Sequence, residues 1–221
     1  MEYNKNKIVI FDWGGIVESH KKEENNYFKI IVNIIKTINP YINENEVISL
    51  WKKCTYDKDG RSISTCKEIK DVEKWFDRIK EAYKLKCNFT TFRNIYRKEF
   101  ENVDYYKDMV KLEHETKRKC KIGILSNLTI LDKERMDKQL DLNKFDYIWL
   151  SFNLGEVKPN SKIYEIVEKD CEIAPKNILF IDDRKENVIA AQKRGWNICN
   201  HSGYEIDKIK DKIEEFIINN K

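Results

Sequence analysis

The sequence predicts an α/β fold: a parallel sheet with helices on both faces, interrupted by an inserted bundle of helices. Three observations carry this. Several short apolar runs have the length and β-branched character of buried strands. Helix-length segments separate the later runs, and that alternation requires the crossovers of a parallel sheet. Between the first and second runs, residues 18 to 98 carry helical spacing almost throughout.

The first strand is predicted over Lys7 to Phe11, where Ile8-Val9-Ile10-Phe11 leads into Asp12-Trp13-Gly14-Gly15-Ile16. In the insertion, Tyr27, Ile30, Ile31, Ile34, Ile35 and Ile38 form one amphipathic stripe, which Pro40 ends. Val47, Leu50, Trp51 and Cys54 form a second. Val72, Trp75, Phe76, Ile79 and Tyr83 form a third, and Phe89, Phe92, Tyr96 and Phe100 a fourth. These aromatics sit at core spacing, so packing accounts for them better than substrate binding does. Further strands are predicted over Lys121 to Ser126, Phe145 to Ser151, Asn177 to Ile181 and, more weakly, Trp196 to Asn200. Ile163, Tyr164 and Val167 mark one intervening helix, and Val188, Ala191 and Gln192 another, which ends at Gly195. Ile206, Ile209, Ile213, Phe216 and Ile217 mark a last helix. The expected division is a core of residues 1–17 and 99–221 and a helical cap of residues 18–98.

Composition removes several function classes. In 221 residues, 42 basic and 38 acidic side chains leave a net charge of +4, which does not supply the concentrated basic face that nucleic acid requires. Lys21-Lys22 and Lys117-Arg118-Lys119 read as solvated surface. No run approaches a membrane span, and the N-terminus lacks a signal-peptide core. The six cysteines have no CxxC spacing and read as reduced thiols of a cytoplasmic protein. Asp57-Lys58-Asp59-Gly60 matches a metal-loop pattern by letters only; no strand leads into it, and it reads as a turn.

Four groups fall at or just past strand ends: Asp12, Ser126-Asn127, Lys158 and Asp182-Asp183. Carboxyl ends of parallel strands lie on one edge, so the topology would bring these groups together. Their chemistry is complementary. A carboxylate can attack phosphorus, and a hydroxyl with backbone amides can hold phosphate oxygens. A lysine can offset developing charge, and clustered carboxylates suit magnesium. Singly, each has a structural alternative: Asp12 as a turn former, Ser126 as a helix cap, Lys158 as a surface lysine, Asp182-Asp183 as a helix entry.

The order Asp12-x-Gly-Gly, Ser126-Asn127, Lys158-Pro159 and Ile181-Asp182-Asp183-x-x-x-Asn187 resembles the four motifs of the haloacid dehalogenase-like (HAD) hydrolase superfamily. The insertion resembles the helical C1 cap of its subfamily IA. The resemblance implies a Rossmann-like core and a magnesium-dependent phosphatase of small phosphorylated metabolites, with Asp12 as nucleophile. It implies that Ser126 and the Asn127 backbone bind the phosphoryl group and that Lys158 bridges phosphate and Asp12. Magnesium would take Asp12, the Gly14 carbonyl, Asp183 directly, and Asp182 directly or through water. Trp13 and the segment Val17 to Lys22 are candidate substrate contacts, and Trp13 equally a packing residue under the cap.

One residue departs from the pattern. Most phosphatases of the superfamily carry an aspartate at the Gly14 position that protonates the leaving group and then activates water. Such a group contributes about 10²–10⁴ in rate. Glycine leaves three outcomes: a substitute donor with good leaving groups, slow hydrolysis of the phospho-aspartate, or phosphate binding without turnover. The superfamily's dehalogenases also lack this aspartate, but they use no metal, and Asp182-Asp183 would crowd charge near Asp12 without one. The ranking is therefore phosphatase, then a weak or inactive phosphate-binding protein with a regulatory role, then 2-haloacid dehalogenase.

Overall fold

A computed structural model describes residues 3–19, 27–56, 62–101, 103–139 and 142–218. Asp57–Gly60 and the end of the Val17–Lys22 segment lie outside them. Five parallel strands form one sheet: β1 (Asn4–Phe11), β2 (Cys120–Ser126), β3 (Tyr147–Leu150), β4 (Ile178–Ile181) and β5 (Asn197–Cys199), in the order β3-β2-β1-β4-β5. The expected Rossmann-like sheet is present, and all five strands coincide with the apolar runs to within a few residues.

Side-chain alternation builds the two faces. Val9 and Phe11 of β1 point to one side, with Leu179 and Ile181 of β4. There they meet α5 (Lys107–Lys117) through Met109 and Leu112, and α10 (Ile206–Ile218) through Ile209, Ile213 and Phe216. Ile8, Ile10 and Phe180 point to the other side, against α8 (Ser161–Cys171) and α9 (Lys185–Gln192). Strands buried on both faces must be apolar throughout, which is why β1 reads as an unbroken run.

The insertion contributes α1 (Tyr27–Ile38), α2 (Glu44–Cys54), α3 (Ile69–Ala82) and α4 (Phe89–Phe100). Asn43 caps α2 by accepting from the Asn45 amide, and Asn88 caps α4 by accepting from the Thr91 amide, both at 2.9 Å. The four predicted stripes meet in one apolar cluster, which extends to Val103 and takes in Leu131 of α6 (Ile130–Gln139). Two polar links tie the insertion to the sheet domain. The Tyr96 hydroxyl donates to Asp132 at 3.0 Å, and the hydroxyl of Ser151, at the start of α7 (Ser151–Leu154), donates to the Ser64 carbonyl at 2.8 Å. No helix among the described residues is long and apolar enough to cross a membrane.

The strand order decides where a ligand can sit. From β1 the chain steps one way to β2 and β3, then returns to the other side of β1 for β4 and β5. The crossovers diverge beyond the carboxyl ends of β1 and β4, and open α/β sheets bind ligands in the crevice left there. Asp12 directly follows β1, and Asp182 directly follows β4.

Candidate active site

Asp12 is held from three sides. Its Oδ1 accepts from the Trp13 amide at 2.6 Å, the Ser126 hydroxyl at 2.7 Å and the Lys158 ammonium at 2.9 Å. These three donors come from the loop after β1, the end of β2 and the turn before α8. Oδ2 keeps its lone pairs uncommitted among the described residues.

Lys158 is nearly fully buried and also donates to Asp182 Oδ2 at 2.7 Å. Its backbone is clamped by Asn127: the Lys158 amide donates to Asn127 Oδ1, and Asn127 Nδ2 donates to the Lys158 carbonyl, both at 2.9 Å. The amide side chain of Asn127 thus positions the lysine, a use that its backbone role alone would not require. Asp182 is fully buried and satisfied at both oxygens. Oδ1 accepts from the Arg184 amide at 2.8 Å, and Oδ2 also accepts from Asn187 Nδ2 at 2.9 Å.

The electrostatics follow from this burial. Removal from water disfavours a charged group, while an opposite charge nearby restores it. Burial pushes the Asp12 carboxyl up to about 7, with Lys158 pulling against it and Asp182 and Asp183 adding to it. Burial alone would lower the Lys158 ammonium, but the Asp12 and Asp182 carboxylates outweigh it and hold it above its ordinary value.

Asp12, Asp182 and Asp183 each bring one carboxylate oxygen within 4.8 Å of the others'. Asp183 is the exposed member. Hard oxygen donors with solvent access fit magnesium, which retains waters and binds through a few carboxylates. The glycine pair serves this cluster unequally. Gly15 has φ +79°, and a Cβ there would lie 2.5 Å from Asp183 Oδ2. Its carbonyl accepts from the Gly203 amide at 2.8 Å, and a Cβ on Gly203 would lie 2.1 Å from the Ile16 carbonyl oxygen. Gly14 lines the cavity beside Asp12.

That cavity has a volume of about 530 Å³ and is bounded by Asp12, Ser126, Asn127, Lys158 and Asp183 on the sheet side. Asp12, Trp13, Gly14, Ser126, Asn127, Lys158 and Asp183 border it, and Asp182 sits behind Lys158; of the described part of the Val17–Lys22 segment, Glu18 borders it. Trp13 is fully buried in the apolar cluster, edge-on to Tyr105, and its indole N–H donates to Glu18 at 3.0 Å. Its backbone amide, not its ring, reaches Asp12. On the insertion side the cavity is bounded by Tyr27, Phe28, Trp51 and Phe100, so aromatics placed at core spacing also face the open space.

Sequence reasoning missed the positioning roles of Asn187, Gly203 and Glu18. Asn187 carried a signal, its fixed spacing from Asp182. Gly203 carried none, because its contact with Gly15 is made only after the loops beyond β1 and β5 meet; Glu18 lay within the segment read for substrate contact, and its partners Trp13 and Gly15 stand in the same loop.

Among solved structures, the chain is similar to a HAD-family enzyme of Bacteroides thetaiotaomicron in complex with magnesium and inorganic phosphate. The TM-score is 0.67 at 18% identity, over 89% of this chain and 94% of that one, a likeness of fold. Two curated proteins match over shorter stretches. A D-ribitol-5-phosphate phosphatase of Bacteroides thetaiotaomicron is 33% identical over 51 residues, 23% of this chain and 25% of that protein. A drimenol cyclase of Aspergillus calidoustus is 26% identical over 129 residues, 58% of this chain and 21% of that protein. The chain therefore spans a quarter or less of these relatives. A family model described as haloacid dehalogenase-like hydrolase matches residues 31–200, from the insertion to the end of β5. With that match over most of its length, the chain belongs to the haloacid dehalogenase-like hydrolases.

Proposed function

We propose that this protein is a magnesium-dependent phosphatase of small phosphorylated metabolites, acting through a phospho-aspartate on Asp12. The observation that carries the reading is the fixing of Asp12 Oδ1 by Ser126, Lys158 and the Trp13 amide, beside two further carboxylates. The fold neighbour's magnesium and phosphate, and the short match to a sugar-alcohol phosphate phosphatase, support a phosphate ester as substrate.

In this mechanism Ser126 and the Asn127 backbone hold the phosphoryl oxygens, and Lys158 offsets their charge. Asp12 Oδ2 attacks phosphorus, the ester P–O bond breaks, and the alcohol departs with a proton taken from water. A water molecule then attacks phosphorus, breaking the bond to Asp12 and releasing phosphate. Magnesium, held by Asp12, Asp183, the Gly14 carbonyl and Asp182 directly or through water, would supply the positive charge that admits an anionic ester among carboxylates. Residues 18–98 serve as the cap, excluding water over the site. We place the protein in the cytoplasm, its six cysteines being free thiols, and assign it a small-molecule partner in preference to nucleic acid or membrane.

Gly14 favours one other reading: a phosphate-binding protein with little or no turnover and a regulatory role. A dehalogenase ranks third, since three carboxylate oxygens within 4.8 Å call for a cation that halide displacement does not use. The deciding experiment is a phosphatase screen with magnesium and with chelator, on wild type and Asp12→Asn. Metal-dependent turnover lost in Asp12→Asn supports the phosphatase. Phosphate binding without turnover, and turnover appearing in Gly14→Asp, would establish the binding protein instead. Chelator-resistant halide release from a 2-halo acid would establish the dehalogenase.

A further inference from the structure

Resting on the phosphatase reading, we infer that the physiological substrate is a phosphate monoester of an uncharged aromatic alcohol, a phenol-like leaving group on a flat apolar body. Two independent features of the cavity lead there.

The first is its wall. The space of about 530 Å³ lies in the range that accommodates a drug-sized ligand, about 300–1,000 Å³, so a three-carbon ester would leave most of it unfilled. Beyond the phosphate end, the described lining is led by Tyr27, Phe28, Trp51 and Phe100. Tyr27 packs edge-on to Phe28 at 5.6 Å and tilted against Phe100 at 6.0 Å, forming a continuous aromatic surface. Ring faces of this kind favour another ring, stacked or edge-on. Hydroxyls in the same wall are engaged within the protein. Thr55 donates to the Trp51 carbonyl at 2.8 Å, Ser62 accepts from the Ser64 amide at 3.2 Å, and Tyr27 accepts from the Trp51 indole at 3.2 Å. Each hydroxyl of a polyol buried against this wall would have to find a partner, whereas an aromatic ring brings none to satisfy. Charge is segregated as well. The charged side chains of the described lining are the acids Asp12, Glu18, Asp132 and Asp183 and the cations Lys158 and Arg184, none of them from α1, α2 and α4, the helices that carry the aromatics. A charged substrate body against those helices would find no counter-charge in the described lining there.

The second feature is Gly14. Without a side-chain acid, the leaving oxygen departs with little help, so its own basicity sets the rate. A phenolic oxygen has a pKa of about 10, whereas an alkanol lies near that of water, about 16. An aryl ester is therefore the class for which this site is least handicapped.

The test compares kcat/KM with magnesium for 2-naphthyl phosphate, cyclohexyl phosphate and ribitol 5-phosphate, on wild type, Phe28→Ala and Trp51→Leu. The naphthyl ester is expected to exceed both others by about 100-fold or more. Phe28→Ala and Trp51→Leu are each expected to raise KM for the naphthyl ester by about two- to tenfold, while kcat changes much less. Trp51→Leu also probes a packed position, so its circular dichroism is compared with wild type, and Phe28→Ala, at a half-buried position, carries the result if Trp51→Leu does not fold. Ribitol 5-phosphate turned over as well as the naphthyl ester would overturn the substrate class and leave the phosphatase reading intact. Equal rates for cyclohexyl and naphthyl esters would overturn the leaving-group argument. No turnover of any ester by folded wild type would remove the phosphatase reading and this inference with it.

Discussion

Replacing Gly15 by alanine should damage both folding and the carboxylate cluster, and the two effects can be sized separately. Gly15 sits at φ +79°, where an L-residue pays roughly 1–2 kcal/mol. For a chain of this length that corresponds to a fall in Tm of about 2–8 °C. The new Cβ would also stand 2.5 Å from Asp183 Oδ2 and 2.8 Å from its Cγ, roughly 0.9 Å inside ordinary contact with the oxygen. Asp183 has to move, since Gly15 is held by its own amide on the Glu18 carbonyl and by Gly203 on its carbonyl. A displaced carboxylate should weaken magnesium binding by about 10–100-fold. Thermal unfolding measured by calorimetry reads the first effect, and magnesium titration calorimetry the second. Gly14→Ala is the control, because Gly14 is not among the left-handed glycines. If Gly15→Ala matches wild type in both measurements, or costs less than Gly14→Ala, the account of the glycine pair is wrong.

Three further outcomes follow from the same geometry. Gly14→Asp should raise kcat/KM for an alkyl phosphate by about 10²–10⁴ and for an aryl phosphate far less; equal gains on both would mean the new carboxylate is not acting on the leaving group. Lys158→Met leaves Asp12 and Asp182 buried without their shared cation, so urea unfolding should show a loss of about 3–5 kcal/mol along with lost turnover; a change under 1 kcal/mol would show that the lysine is not the counter-charge. Remote from the site, burial holds the Glu113 carboxyl up at about 7 against the pull of its ion pair with Lys144, and Glu113 Oε1 is buried with no hydrogen-bond partner among the described residues. A carboxyl raised on folding stabilises fully below its unfolded value of 4.5, and that stability is lost as pH rises through about 7, a swing of about 3 kcal/mol. From pH 4 to 8, urea unfolding of wild type should therefore lose about 3 kcal/mol more than that of Glu113→Gln, in which the raised Asp12 carboxyl still contributes; parallel slopes would refute the assignment.

Much of this was legible in the chain because the signals are local. A strand buried on both faces must be apolar throughout, so β1, β2 and β4 announce themselves as runs. The four stripes of the insertion coincide with α1 to α4 because a helix must repeat its apolar face every three to four residues. Helix α5 escaped notice because its buried face includes Glu113 and Thr116, which read as surface until Lys144 and the Leu112 carbonyl supply their partners. The aromatics of the insertion were legible as packing. That Tyr27 and Phe28 also border the cavity depends on which edges of the bundle face the sheet, and no spacing rule encodes that.

The division for the site is similar. By itself the sequence determined the order of the chemical groups, Asp12, Ser126, Lys158 and Asp182-Asp183, and the absence of a carboxylate at Gly14. It also determined that strand ends would carry these groups, since strand and helix periods are written residue by residue. Only the tertiary structure decided that Lys158 is shared between Asp12 and Asp182, that Asn127 clamps it, and that Trp13 offers its amide while its ring is buried. It also decided that, beside the site, Gly15 is required by left-handed backbone and its approach to Asp183, and Gly203 by its approach to the Ile16 carbonyl. Apart from the Trp13 amide, those are contacts between segments far apart in the chain, formed when the strand order β3-β2-β1-β4-β5 sets the ends of β1 and β4 side by side.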